Sequence, residues 1–253
     1  MKKFACSMLL LLCPLIAFAQ ATPAPAAAAP AAPKKNTIST YRIWAKDGHD
    51  AALKAALAAH AQKFHSGNWK WRVSEVLTGP DGGAYMILEG PNSWTDIEGR
   101  GDLGPEHQKD YDTNITPHVE KSSPESYATY QESASTVAGG AFSTNKVLIT
   151  RLYPKPGRGN QAYANLKDWK KVWEKCGLNV VVWSSFYSGE PMFSVAGRLK
   201  NGFKDLDDST SFRKAADELF GAGGYDRMQE TAALNIEKQV GEIIEFKADL
   251  SSK

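Results

Sequence analysis

The stretch RIWAKDG, Arg42 to Gly48, returns as RLYPKPG, Arg151 to Gly157, at an offset of 109 positions (151 − 42). Internal repetition restricts a fold more than any single motif. Each copy must reproduce one arrangement of elements and then bury what it exposes. The offset persists beyond the heptapeptide: Leu57 answers Leu166, Phe64 answers Trp173, Trp94 answers Phe203, Asp96 answers Asp205 and Ile97 answers Leu206. Nearer the ends it widens to 117 (235 − 118), where HVEK from His118 answers NIEK from Asn235.

Both copies read as the same succession of elements. Ile38–Ala45 and Lys146–Tyr153 alternate and are rich in β-branched and aromatic residues, which predicts strands. A glycine-containing turn follows, then an amphipathic helix. Its stripe is Leu53, Leu57, His60 and Phe64 in the first copy, and Ala162, Leu166, Trp169 and Trp173 in the second. Trp69–Thr78 with Tyr85–Glu89 flank GPDGG, and Asn179–Ser188 with Met192–Leu199 flank GEP, so each pair predicts a hairpin. Helical regions interrupted by glycines lead to closing strands at Tyr127–Glu132 and Glu242–Lys247. The expected fold is α+β: two tandem ferredoxin-like β-α-β-β-α-β repeats, residues 37–132 and 146–248, with a linker at 133–145 and a tail at 249–253.

This order, with its paired strand–turn–helix stretches and the Trp94 and Phe203 starts of the second helices, resembles the dimeric α/β-barrel superfamily. The resemblance implies that the sheets of the two repeats face each other as an intramolecular barrel, and that the chain is a monomer acting as a pseudo-dimer. The superfamily includes cofactor-independent monooxygenases and haem-degrading enzymes, the latter with an Asn, Trp and His set. Trp94 and His107 match two of those types, but Thr40 and Arg42 stand where the Asn is wanted, so no catalytic residue is carried over. A likeness of element order does not transfer function.

The ends and the charge narrow the classes. Lys2 and Lys3, an apolar run from Met8 to Ile16 and the Ala17-Phe18-Ala19 site predict a signal peptide, residues 1–19, cleaved after Ala19, and hence a secreted or periplasmic protein. Residues 20–36 are Ala and Pro with two lysines and predict a disordered linker. Cleavage removes two of the 30 basic residues and none of the 28 acidic ones, leaving 28 against 28. That balance excludes the concentrated basic surface nucleic acid requires, and no membrane span is expected. Cys176 is the one cysteine beyond the leader, so the fold relies on its core rather than on a disulfide.

Alternation places Arg42 and Trp44 on one strand face, and Arg151 and Tyr153 on the corresponding face of the second copy. Ile43, Leu148 and Leu152 on the opposite faces suit the helices, so the arginines are expected inside the barrel. A buried arginine needs a carboxylate or a bound anion. Glu75 and Glu89 are the expected partners, which leaves Arg151 less neutralised than Arg42. The candidate ligand-binding set is Arg42, Trp44, Trp71, Glu75, Arg151, Tyr153 and Trp183, for a small, partly apolar anion.

All five histidines lie in the first copy. His60 sits on the helix stripe and is expected in the core. On a continuous helix His60 and His65 diverge by about 140°, a poor arrangement for sharing a metal, so no metal site is expected. His107 in GPEHQKDYD is left as the one histidine suited to a metal or haem. Ser184, Ser185 and Cys176 lack a nucleophile setting, and GAGG at Gly221–Gly224 reads as a helix break. The expected function is therefore a non-catalytic ligand-binding or structural barrel without a cofactor. The alternative is an oxygenase-like enzyme, with haem, using the first-repeat cavity.

Overall fold

The computed structural model describes residues 32–139, 145–207 and 211–253. The expected signal peptide and residues 20–31 of the Ala/Pro stretch lie outside the described residues. The elements are β1 (Thr37–Ala45), α1 (Asp50–Phe64), β2 (Arg72–Val76), β3 (Ala84–Asn92), α2 (Trp94–Glu98), α3 (Pro105–Asp110), β4 (Val119–Ser122), β5 (Ser126–Tyr130) and β6 (Lys146–Pro154). They continue with α4 (Gly159–Lys175), β7 (Val180–Ser185), β8 (Met192–Leu199), α5 (Phe212–Phe220), α6 (Gly224–Asn235) and β9 (Ile236–Phe246).

The strands run in the order β3-β2-β9-β6-β8-β7-β5-β1, and pairing of β1 with β3 closes the ring. All its ladders are antiparallel, so the result is one closed eight-stranded barrel, with β4 added beside β1. This corrects the expectation of two ferredoxin-like repeats with separate sheets facing each other. Two ladders make the sheet continuous. Ser74–Val76 of β2 pair with Ile244–Phe246 of β9, and Thr129–Tyr130 of β5 pair with Trp183–Ser184 of β7. Open sheet edges present unpaired N–H and C=O groups, and closure satisfies them. Alternation along a strand says which face is apolar but not which edge it will meet.

The β2–β9 seam is tight at Gly79, just past β2. Its φ is +89°, and a Cβ there would lie 2.7 Å from the Gly241 carbonyl oxygen and 3.1 Å from the Glu242 Cβ. Gly79→Ala is expected to cost about 1–3 kcal/mol, from the left-handed backbone and the backbone clash together. Urea denaturation would show it, and an unchanged midpoint would mean that the seam yields.

Helices cover the outside of the barrel. α1 buries Leu53, Leu57 and Ala61 against Ile43, Val73, Tyr85 and Ile87. α4 buries Ala162, Leu166 and Trp173 against Val180, Val182 and Phe193, and carries α5 and α6 through Val172, Ala216 and Met228. The inward strand faces form two further apolar clusters, one around Met86, Val147 and Ile244 and one around Ile38, Leu88 and Trp183. No helix among the described residues is long and apolar enough to cross a membrane.

Candidate functional site

The inward faces enclose a cavity whose walls are mainly apolar, with Ile38, Met86, Leu88, Ile149 and Trp183 among them and four charged residues, Arg42, Arg72, Arg151 and Glu242. It holds about 940 Å³ of atom-free space, open solvent included. Glu242 is fully buried between two arginines. Arg42 Nη2 donates to its Oε1 at 2.7 Å and Arg151 Nη2 donates to its Oε2 at 2.8 Å. Asp81, from the turn after β2, lies 3.0 Å from Arg151 Nη2 and 3.6 Å from Arg42 Nε. Two guanidinium groups thus face two carboxylates, and Arg151 is neutralised, contrary to the expectation.

The expected partners point elsewhere. Glu75 faces outward from β2, where Lys247 Nζ lies 2.9 Å away. Glu89 faces the helical side of β3 and accepts from Trp71 Nε1 and Arg100 Nη2, each at 2.8 Å. The true partner, Glu242, comes from the last strand, which barrel pairing sets beside β6 with Ile149 opposite Glu242. Of the seven candidate ligand residues, Arg42, Arg151 and Trp183 line the cavity. Trp44 packs in the inner cluster beneath Lys121, whose Nζ is 4.5 Å from the ring centroid. Tyr153 shares the strand face of Arg151 beneath Lys238. Trp71 lies on the other side of the wall, in the core under α1.

The cation left for a ligand is Arg72, which the sequence reading missed. It lines the cavity, its Nη1 is buried without a hydrogen-bond partner, and burial pulls its pKa below the usual guanidinium value. Arg198, two residues beyond the cavity-lining Ala196 on β8, is likewise lowered by burial, with Nε and Nη2 unsatisfied. The signal for Arg72 was period 2: it is two residues before Ser74, on the same face of β2.

A second constellation lies outside the wall. His60 is on the last turns of α1, His65 just past its end, and His107 on α3. The Nε2 of His107 is 3.2 Å from that of His60 and 3.3 Å from that of His65. The divergence expected on a continuous helix does not apply, because α1 ends at Phe64 and His65 is extended (φ −111°, ψ 103°). Its side chain therefore comes round to the same place. His60 Nδ1 lies 2.8 Å from Asp110 Oδ2. His65 Nδ1 lies 3.1 Å from Glu89 Oε1, off the ideal hydrogen-bond line. Trp71 stacks on His65 with centroids 4.0 Å apart, and Tyr111 meets His60 edge-on. Burial, more than any neighbouring charge, pushes the pKa of all three histidines below the ordinary imidazole value.

His49 and His118 form a separate exposed pair, Nδ1 to Nδ1 at 2.9 Å. Among the described residues no histidine lines the barrel cavity. Haem in that cavity would find no imidazole ligand, so the residues do not fit the haem alternative and no step is derived through it.

No family model and no curated protein sequence matches the chain. Solved structures do resemble it. One is a candidate monooxygenase from Lactobacillus acidophilus (TM-score 0.52, 9% identity, 86% of this chain and 96% of that one). Another is an anthrone oxidase-like protein (TM-score 0.52, 12% identity, 85% and 92%). A third is a candidate monooxygenase from Fusobacterium nucleatum (TM-score 0.51, 14% identity, 86% and 97%). All three are named for oxidative enzymes, and these findings stand against the expectation of a non-catalytic ligand-binding or structural barrel. At such identities the likeness is one of architecture, and what the chain shares with these proteins is the α/β barrel fold.

Proposed function

We propose that this protein is an oxygenase-like enzyme that oxidises a small, partly apolar molecule bearing an acidic group inside the barrel cavity. The observation that carries this reading is Arg72, a cavity-lining guanidinium with a buried, unpartnered Nη1 among apolar walls. A preorganised cation in a water-poor site favours the deprotonated form of a bound phenol or activated methylene, which is the electron-rich form that reacts with dioxygen. If a methylene becomes a carbonyl, the substrate gives up four electrons, one oxygen atom enters it and the other leaves as water. The Arg42, Arg151, Glu242 and Asp81 group is internally neutral and gives part of the wall a fixed shape.

Anthrone, named with one of the structural neighbours, is a direct probe. Oxygen uptake above the uncatalysed rate is expected with the full chain, falling about 100-fold in Arg72→Met, as when one electrostatic stabiliser is removed. Arg72→Met should be no less stable than the parent, because a half-buried guanidinium with an unpartnered, buried Nη1 gives way to an apolar chain of similar length. An absence of uptake together with an unchanged tryptophan emission on adding anthrone would count against the reading.

Two readings of the sequence accompany this proposal. The 109-residue offset is the trace of a duplication, supported by the meeting of Arg42 and Arg151, the first residues of the two heptapeptides, on one carboxylate. The signal-peptide pattern read over Met1–Ala19 is the ground for proposing secretion or a periplasmic location.

A further inference from the structure

We propose that His60, His65 and His107 form a three-imidazole centre for a divalent first-row transition-metal ion, zinc or copper, outside the barrel wall. The inference does not depend on the oxygenase reading and concerns a different part of the molecule.

Spacing is the first argument. A tetrahedral ion with metal–nitrogen bonds of about 2.05 Å holds its nitrogens about 3.3 Å apart. Two edges of the triangle are 3.2 and 3.3 Å, and all three nitrogens lie within 4.8 Å of one another. The third edge has up to about 1.5 Å to close for that geometry, a distance that side-chain rotation covers.

Protonation is the second. A carboxylate accepts, so Asp110 holds the ring proton of His60 on Nδ1, and Glu89, 3.1 Å from His65 Nδ1 though off the hydrogen-bond line, favours the same tautomer there. Their Nε2 atoms then present lone pairs inward, both towards His107 Nε2. One N–H on His107 can satisfy one of those lone pairs but not both. A cation at the centre satisfies all three nitrogens. The carboxylate behind each of two imidazoles is the usual support of a histidine ligand, and it offsets charge as well as fixing the ring.

Donor type narrows the ion. An all-imidazole set suits zinc, copper, nickel or iron and not magnesium or calcium, and copper leads that series in affinity. Three protein ligands leave a fourth position for water, the arrangement of catalytic rather than purely structural zinc sites. His107 is the half-exposed member and lies on the solvent side.

The test is metal binding rather than activity. Full-length protein, stripped with a chelator, is titrated with Zn²⁺ and separately with Cu²⁺ in a calorimeter, and its melting is followed with and without metal. The expected result is one tight equivalent and a rise in melting temperature. His107→Ala should abolish both, while Asp110→Asn should weaken binding by roughly 10–100-fold. His118→Ala, in the exposed pair, should change neither. If His107→Ala melts too low to titrate, His107→Gln takes its place. The inference fails if the parent binds less than one equivalent of either ion, or if the His107 variants bind as tightly as the parent. Anthrone oxidation has no bearing on any of these readouts.

Discussion

Glu242→Ala should lower the stability of this protein by about 3–5 kcal/mol, the cost of breaking a buried ion pair from one side. Glu242 is completely buried and is the carboxylate on which Arg42 and Arg151 converge from different strands. Truncation leaves two guanidinium groups, each largely shielded from water, with Asp81 alone to balance them. Urea denaturation is the measurement, with the midpoint falling and the slope constant. Replacing Glu242, Arg42 and Arg151 together by leucine should recover most of the loss, since the penalty belongs to the unpaired charges. A loss below about 1 kcal/mol in the single variant would be no more than an exposed pair contributes, and would mean that Asp81 and solvent suffice.

Trp71→Ala should cost a similar amount, about 3–5 kcal/mol, for a different reason. The indole is buried in the core under α1 and stacks on His65. Its Nε1 donates to Glu89 Oε1, a buried carboxylate whose other oxygen has no hydrogen-bond partner in the protein. Truncation opens a cavity and also removes a donor from Glu89. Trp71→Phe separates the two effects: it keeps most of the apolar volume and loses the hydrogen bond, for an expected cost of about 1–3 kcal/mol. Thermal melting and near-ultraviolet circular dichroism of the two variants would distinguish them. Equal losses would assign the effect to the hydrogen bond rather than to packing.

The comparison of pattern with structure turns on particular residues. Period-2 alternation set Arg42 and Arg151 on corresponding faces without saying which face was inner, and the closed barrel turns that face to the cavity, which both line. Alternation was not enough to name their partner. Glu75 and Glu89 were near in the chain and acidic, whereas Glu242 lies 200 positions from Arg42 and reaches it only through the ring of strands. The histidines follow the same logic. Their confinement to one half of the chain was visible, but the angle between His60 and His65 was judged on a helix continued past Phe64. Ser66 and Gly67, with Gly67 in the left-handed region at φ +59°, were the local sign that the helix had ended.

Local order in this chain is therefore a matter of its own pattern. Periods of 2 and 3.6 residues set its strands and its two long helices and the face each would bury, because those choices depend on neighbours a few positions away. Tertiary structure decided the rest: that β2 joins β9 and β5 joins β7, turning an expected pair of facing sheets into one closed barrel. It also brought Glu242 to two arginines, left Arg72 without a partner, and turned three histidines towards one point. Edge pairing and the convergence of charge are satisfied between segments far apart in sequence, and no periodicity within a segment encodes which distant segment will meet it.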